Sequence, residues 1–242
     1  MAYALFDIET RIDKALVKAV YAPREGVDEN VVYERVRERL LAEHGSDFFP
    51  YSFHVPITIV VGNINGECEL TNVEEVGGAV CSEEAMVRAF WERVEHFPGT
   101  LVSFNGRSFD LPVLELQALR YGCPAPRYFN EKYGHRYRYS EQGHYDLYEF
   151  LTNSGVVRLR GGLHLLARLI GLPGKGKIEG SQVQALWESN RKEEIVRYCR
   201  QDVIQTYFLF LRIELMRGRL SPESYARALG TAETFRQELD ES

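Results

Sequence analysis

The stretch that decides the fold is Ala2-Tyr3-Ala4-Leu5-Phe6-Asp7-Ile8-Glu9-Thr10, at the start of the chain. An apolar run of this kind predicts a β-strand, in which side chains two apart lie on the same face. Asp7 and Glu9 are therefore expected to project together from the end of that strand. Two carboxylates this close repel each other unless a cation lies between them, and Mg2+ and Mn2+ prefer carboxylate oxygen. A solvated acidic turn is the alternative, and one Asp-x-Glu pair does not decide between the two.

Length and composition are those of a globular protein. The 242 residues are enough for one large domain or two small ones, and 45% of them are apolar and 26% charged. We predict one main domain over residues 1–217, with a helical and aromatic insertion at 28–54. Residues 218–242 are predicted to add a helical extension at the carboxyl end.

The charge balance bears on the class of partner. Twenty-nine Lys and Arg residues against 35 Asp and Glu residues give a formal net charge of −6. This argues against a protein that coats nucleic acid by bulk attraction. An enzyme that acts on nucleic acid remains compatible, because its positive charge can be concentrated along one groove while its acids gather at a metal site.

The four cysteines are far apart and form no C-x-x-C pair, so neither a zinc site nor a disulfide framework is predicted. The longest apolar runs, at 57–61 and 207–211, are too short to cross a bilayer, and the amino terminus has no signal-peptide pattern. We expect a cytoplasmic protein with no membrane partner.

Local signals place further elements along the chain. Segments 57–63 and 67–73 are rich in Ile, Val and Thr and are joined across Asn65-Gly66, which predicts a hairpin beside the first strand. Ser82 is a predicted N-cap for a helix that runs to about Glu95. The remaining predicted elements are a short strand at 101–104, a helix at about 108–121, a strand near 145, a helix at about 191–217 and a last helix that starts at Pro222.

An aromatic cluster, Phe48-Phe49-Pro50-Tyr51-Ser52-Phe53, follows a predicted helix. That helix is expected to bury Val32, Val36, Leu40 and Leu41 and to end at Gly45. The cluster is compatible with two interpretations. It is either the packed underside of a loop or a surface on which unpaired bases stack.

A second unusual stretch runs from Leu119 to Ser140, where basic and aromatic residues alternate and Glu131 is the only acid. The pattern suits a nucleic-acid backbone with stacked bases, and it equally suits a solvated loop with long side chains. Further on, residues 171–178 have the G-x-x-x-x-G-K spacing of a P-loop. Because Ile178 stands where a Ser or Thr would ligate Mg2+, we interpret this stretch as a flexible basic loop that contacts phosphates.

Three more polar residues lie at informative places. Asp110 follows the strand at 101–104, where Ser108 is the predicted N-cap of the next helix. Tyr198 and Asp202 are four residues apart in the predicted helix 191–217, so they lie on the same face, one turn apart.

These residues in this order resemble the DEDD superfamily of 3′-to-5′ exonucleases. The first motif of that family, Asp-x-Glu, is Asp7-Ile8-Glu9 here, and the second, Asn-x-x-x-Phe-Asp, runs from Asn105 to Asp110. The third motif, Tyr-x-x-x-Asp, runs from Tyr198 to Asp202 and indicates the tyrosine (DEDDy) type, since no histidine lies near that position. The chain most resembles stand-alone relatives of the proofreading domain of family-B DNA polymerases, in part because Phe49-Pro50 and Phe53-His54 precede the second strand.

The resemblance implies a ribonuclease H-like α/β fold, a mixed five-stranded sheet with helices on both faces. It also implies two divalent metal ions, Mg2+ or Mn2+, one held by Asp7, Glu9 and Asp202 and the other by Asp7 and Asp110. Such a pair suits phosphodiester hydrolysis, because one ion activates the attacking water and the other stabilises the leaving oxygen. Tyr198 would orient that water.

The resemblance further implies single-stranded DNA 3′ ends as the substrate, with release of nucleoside 5′-monophosphates. Ile8 and Thr10 would contact the terminal nucleotide and Asn105 the adjacent strand, and Phe109 and Lys177 are further substrate-binding candidates. Asp146 is a weaker candidate, with support of the site as its alternative role. Two alternatives remain, an exoribonuclease that trims RNA ends and a catalytically inactive nucleic-acid-binding module. The motifs do not separate DNA from RNA, because that selectivity depends on contacts with the 2′-hydroxyl. They also name no polymerase or repair partner.

Overall fold

Five strands form one mixed sheet in the computed structural model, which describes residues 2–78, 81–132, 134–172 and 180–241. The strands are β1 (Tyr3–Ile12), β2 (His54–Ile64), β3 (Leu70–Glu75), β4 (Thr100–Ser103) and β5 (His144–Asp146). Their order in the sheet is β3-β2-β1-β4-β5. β1 lies in the middle, antiparallel to β2 and parallel to β4.

The first strand is longer than predicted. β1 continues to Ile12, so that Asp7 and Glu9 lie within the strand and not at its end. The reason is that β2 keeps pairing with β1 after a shift in register, where Glu9 lies opposite Thr58 and Thr10 lies opposite Pro56. Such a bulge re-aims side chains beside the irregularity without ending the strand.

The connection between β2 and β3 is also longer than the tight hairpin predicted at Asn65-Gly66, and β3 starts at Leu70. The side chain of Asn65 organises this connection, because its Oδ1 accepts hydrogen bonds from the backbone N–H groups of Glu67 (3.0 Å) and Glu69 (2.8 Å). Cys68 has a φ of 65°, in the left-handed region. Together with the backbone hydrogen bond from the N–H of Asn65 to the carbonyl oxygen of Glu69 (3.0 Å), this side chain closes a turn longer than a two-residue loop.

Nine α-helices lie in the described part of the chain: α1 (Lys14–Tyr21), α2 (Glu29–His44), α3 (Glu83–His96), α4 (Asp110–Tyr121), α5 (Leu147–Leu151), α6 (Gly162–Leu169), α7 (Val183–Glu188), α8 (Lys192–Met216) and α9 (Pro222–Glu241). Gly45 ends α2 with a φ of 70°, and Ser82 caps α3, both as predicted. Ser108 does not cap α4; the helix begins after Phe109, which provides no side-chain cap. None of the helices within the described ranges has the length and apolar character needed to cross a bilayer.

The two faces of the sheet are covered by different helices. Leu5 packs with Val203 and Phe210 of α8, whereas its neighbour Phe6 packs with Phe90 and Trp91 of α3. This alternation follows from the period of two in a strand. Asp7 and Glu9 are two and four residues after Leu5 in the strand, so their side chains lie on the same face as Leu5, the face that α8 covers.

Helices α1 and α2 form a third apolar cluster with the aromatic segment that precedes β2. Val32, Val36 and Leu40 are buried as predicted, but Leu41 is 54% exposed. Tyr33 is buried instead, and its ring stacks on Phe49 with the centroids 5.2 Å apart. The aromatic segment supplies the apolar partner for this side of α2, which the helical spacing alone did not reveal.

The last helix packs against α8 and against the edge strand β3. Ala228 and Ala232 of α9 are fully buried in the core that α8 forms with the sheet. The hydroxyl of Tyr207 on α8 lies 3.3 Å from the carbonyl oxygen of Ala228. The predicted last helix thus covers an edge of the sheet.

Candidate active site and metal centre

Three carboxylates converge beneath α8. Asp7 and Glu9 come from β1 and Asp202 comes from α8, and one carboxylate oxygen from each lies within 4.8 Å of the others. The strand places its two acids on one face, and α8 crosses that face with Asp202 pointing toward the sheet. Three carboxylates close together form an oxygen-only donor set, the type preferred by hard divalent cations.

Tyr198 lies one helical turn before Asp202 and is buried. Its hydroxyl donates a hydrogen bond to the carboxylate of Asp202. Burial, followed by the negative charges of Asp202 and Glu9, raises the pKa of this phenol far above its ordinary value of 10. Without a cation, Tyr198 therefore stays protonated at every physiological pH, and its phenol cannot act as a base.

Asp110 lies at the start of α4 and lines the same cavity as Asp7 and Asp202, but it stands outside the cluster of three. Its Oδ1 accepts a hydrogen bond from the backbone N–H of Ile8 at 3.2 Å. Burial raises the pKa of Asp110 to about 7, and the charges of Asp146 and Asp202 act in the same direction. Three of the four predicted metal ligands thus converge, and the fourth lies in the wall of the cavity that Asp7 and Asp202 also line.

The cavity beside these acids has a volume of about 490 Å³. Three of the predicted substrate-binding residues, Ile8, Asn105 and Phe109, lie in its wall. The remaining wall is formed by Asp7, Phe48, Phe104, Ser108, Asp110, Leu163 and Asp202. A cavity of this volume, mostly apolar with a few convergent polar groups, is typical of a small-ligand site.

Asp146 has a position that supports the site, and its contact with substrate stays a prediction. Its side chain is buried, and its two oxygens accept hydrogen bonds from the backbone N–H groups of Asn105 (3.0 Å) and Arg107 (2.9 Å). The same carboxylate accepts from the N–H groups of Tyr148 (2.9 Å) and Glu149 (3.2 Å) at the start of α5. Asp146 therefore holds the loop after β4, including Asn105 with its φ of 66°, and does not point into the cavity.

His54 is a residue of the site that the sequence reasoning did not select. Its Nδ1 lies 2.7 Å from the hydroxyl oxygen of Thr10, and its Nε2 lies 3.1 Å from the carbonyl oxygen of Phe49. Because a carbonyl can only accept, Nε2 carries the hydrogen and Nδ1 accepts from Thr10. Burial lowers the pKa of His54, which keeps the ring neutral. The predicted contact residue Thr10 is thus oriented by His54, and the dipeptide Phe53-His54 was its one sequence signal.

The aromatic segment before β2 is buried in part and exposed in part. Phe49 and Phe53 are buried in the cluster with α1 and α2. Phe48 is 60% exposed and lines the acidic cavity, with its ring 5.1 Å from that of His54 and 5.6 Å from that of Phe109. Phe48 was not selected from the sequence either, because four neighbouring aromatics gave no indication of which one is exposed.

The predicted phosphate contact at Lys177 falls within residues 173–179, outside the described residues. The same is true of Ile178 and of most of the stretch with P-loop-like spacing. The assignment of Lys177 stays a prediction.

Comparison with known proteins agrees with this architecture. Residues 46–242 match the model of a family described as predicted 3′-5′ exonucleases related to the exonuclease domain of PolB. Asp7 and Glu9 precede the matched residues, so their place in the site rests on the geometry.

Among solved structures, the family B DNA polymerase from the hyperthermophilic archaeon Pyrobaculum calidifontis is similar to this chain, with a TM-score of 0.55 and 19% sequence identity. The match covers 89% of this chain and 24% of the polymerase chain, so this chain corresponds to about a quarter of that protein. At this identity the likeness establishes the fold, which is the ribonuclease H-like α/β fold that was predicted. With 46–242 matched by the family model, the chain belongs to the family of predicted 3′-5′ exonucleases related to the exonuclease domain of PolB.

Proposed function

We propose that this chain is a metal-dependent 3′-to-5′ exonuclease of the tyrosine type that hydrolyses single-stranded DNA and releases nucleoside 5′-monophosphates. The observation that carries the proposal is the approach of Asp7, Glu9 and Asp202 to within 4.8 Å of one another. Buried or half-buried acids this close are unfavourable unless a cation offsets their repulsion. Tyr198 and Asp110, beside this cluster, supply the remaining groups of the tyrosine-type motif.

The donor set fits the proposed cofactors. Asp7, Glu9 and Asp202 would hold one Mg2+ or Mn2+, and Asp7 together with Asp110 would hold a second. Such ions, when bound, activate a water for attack and stabilise charge on the leaving oxygen.

The residues of the chain prepare the reacting groups. In the hydrolysis, the oxygen of water forms a bond to phosphorus, and the bond from phosphorus to the 3′ oxygen of the preceding nucleotide breaks. The 5′-phosphate leaves with the terminal nucleoside, and the shortened strand keeps a 3′-hydroxyl. The hydroxyl of Tyr198 keeps its proton and donates a hydrogen bond to Asp202. The lone pairs of its phenol oxygen can therefore accept a hydrogen bond from the attacking water and orient it.

The cavity wall favours an unpaired base. Phe48 and Phe109 present aromatic faces beside the acids, and aromatic faces bind bases of any sequence by stacking. Thr10, on β1 outside this wall, donates a hydrogen bond to His54 and has lone pairs left to accept from a sugar hydroxyl. These features support a single-stranded 3′ end as the substrate.

The test is a time course on a 5′-labelled single-stranded DNA oligonucleotide and its RNA counterpart, with Mn2+, with Mg2+ and with chelator. We expect a ladder of products that shortens from the 3′ end, requires metal and disappears in Asp7→Ala. The control variant is Glu193→Ala, which removes an exposed acid at the start of α8 and should cleave like the wild type.

Two outcomes would change the assignment. Faster cleavage of RNA than of DNA would indicate an exoribonuclease. Binding of both oligonucleotides with cleavage of neither, in the presence of Mn2+, would contradict the proposal and indicate a binding module.

A further inference from the structure

A second cavity, of about 590 Å³, adjoins the acidic one. Ser108 lines both cavities, and Arg107 next to it lines the second. Its floor is formed by α4, at Leu111, Pro112 and Glu115. Its wall is the loop between α4 and β5, within the stretch that alternates basic and aromatic residues. We call this cavity the loop groove; its remaining lining residues are 128–131, 136–139 and 149.

The loop groove is not a basic surface, although the sequence of its wall is basic. Its three arginines are matched by three glutamates, at positions 115, 131 and 149. Arg136 pairs with Glu115 at 2.9 Å, and Arg138 pairs with Glu149 at 3.1 Å. Arg107 pairs with the same Glu149 at 2.8 Å. Attraction of phosphates is therefore not the main chemistry of this groove, because a duplex or a bare backbone requires unpaired positive charge.

Its distinguishing feature is a set of exposed aromatic rings. Tyr139 is 82% exposed, Phe129 46% and Tyr137 37%. The rings of Tyr137 and Tyr139 are 5.8 Å apart, and the guanidinium of Arg138 lies 5.9 Å from the centre of the Tyr139 ring. Several large aromatic side chains exposed together beside a cavity mark a binding surface more often than single exposed ones do.

We propose that the loop groove binds unpaired bases on the 5′ side of the terminal nucleotide, by stacking on Tyr137 and Tyr139. The inference rests on the proposed function, because the strand whose 3′ end enters the acidic cavity is the occupant that would continue past Ser108 into the groove. Aromatic faces stack on any base. A lining whose charges are balanced attracts phosphates only weakly, but it does not hinder the stacking of an uncharged base. The affinity of the enzyme would therefore increase with the length of the strand and require that the strand carries bases, whatever their sequence.

The test measures binding of labelled oligothymidylates of increasing length by fluorescence anisotropy, in chelator so that no hydrolysis occurs. A second series has abasic positions upstream of the terminal nucleotide. We expect wild-type affinity to increase with length, and Tyr139→Ala to weaken binding of the longer base-bearing strands by roughly 5- to 150-fold. Tyr139→Ala should bind the abasic strands as tightly as the wild type does. Tyr139→Phe should bind all strands like the wild type, because it keeps the aromatic face.

The matched control is Tyr21→Ala. Tyr21 is exposed and lies under the guanidinium of Arg39 at 4.8 Å, as Tyr139 lies under Arg138, but it lines neither cavity. Its removal should leave affinity unchanged at every length. Unchanged melting temperatures of Tyr139→Ala, Tyr139→Phe, Tyr137→Ala and Tyr21→Ala would show that all four variants are folded.

Equal binding of the wild type, Tyr139→Ala and Tyr137→Ala at all lengths would overturn the inference, and so would an equal loss on abasic strands. These outcomes are distinct from failure of the proposed function. If the wild type cleaves nothing, but Tyr139→Ala loses base-dependent binding, the assignment of the groove is supported and the exonuclease activity is contradicted. If the wild type shortens DNA from the 3′ end, but neither Tyr137→Ala nor Tyr139→Ala changes binding, the exonuclease activity is supported and the assignment of the groove is contradicted.

Discussion

Single residues of the site carry charges that oppose folding when no cation is present. Asp7 lies in a cluster with Glu9 and Asp202, and their mutual repulsion destabilises the metal-free protein. We expect Asp7→Asn to raise the melting temperature of the metal-free protein by a few degrees, since about 1 kcal/mol corresponds to roughly 2 to 4 °C at this size. Mn2+ should raise the melting temperature of the wild type more than that of Asp7→Asn. A metal-free wild type that melts with or above Asp7→Asn, with no effect of Mn2+ on either, would contradict the clustering.

Asp110 gives the metal-free protein a distinct pH dependence. Its pKa is about 7 in the folded protein and 3.8 as an ordinary Asp, so between these values the folded state holds a proton that the unfolded state lacks. Stability from this group is therefore present at low pH and is lost as the pH rises through 7. The side chain of Asn is neutral at every pH, so the Asp110→Asn variant does not lose stability over this pH range. In chelator, we expect the melting temperature of Asp110→Asn relative to the wild type to be higher at pH 8 than at pH 5; a constant difference would argue against the raised pKa.

At the scale of elements, the loop after β4 depends on one buried acid. Asp146 accepts four backbone N–H groups, two from this loop and two from the start of α5. Removal of the carboxylate leaves buried donors unsatisfied, at about 1 to 3 kcal/mol each. We expect Asp146→Ala to lower the free energy of unfolding by at least about 3 kcal/mol, measured by urea denaturation, whereas Ser140→Ala on the exposed loop should change it little. A loss in Asp146→Ala no larger than that of Ser140→Ala would show that the loop is held by other contacts.

The elements differ in how far sequence could predict them. β4, α3, α8 and α9 were predicted closely, because apolar spacing and caps such as Ser82 are local signals. The end of β1 was missed, because residues beyond Glu9 stay in the strand through pairing with β2, which no local pattern records. The α4 cap was predicted at Ser108 and is not used; the backbone N–H of Ser108 instead contacts the carbonyl oxygen of Asn105 at 3.1 Å.

At the scale of the whole molecule, the motifs predicted which acids would come together. The fold adds the residues that surround these acids. Strand parity was enough to pair Asp7 with Glu9, but the approach of Asp202 required the packing of α8 on the sheet. His54 was missed because its partner Thr10 is 44 residues away in sequence, and Phe48 because its aromatic neighbours gave no indication of which ring is exposed. The wall of the loop groove looked basic because Glu115 and Glu149, its partners in space, lie outside the basic stretch.

The central claim is that Asp7, Glu9 and Asp202 form a hydrolytic metal site. It is tested most directly by the rate of 3′ shortening of a 5′-labelled single-stranded oligonucleotide as Mn2+ is increased. The variants compared are Asp202→Asn and Glu214→Gln, a buried acid about three turns further along α8 that lies 3.7 Å from Arg217 and from Arg219.

We predict a saturable dependence on Mn2+ in the wild type and in Glu214→Gln, and a rate at least about 100-fold lower in Asp202→Asn at every Mn2+ concentration. Shortening by Asp202→Asn at the wild-type rate, with the same dependence on Mn2+, would contradict the claim.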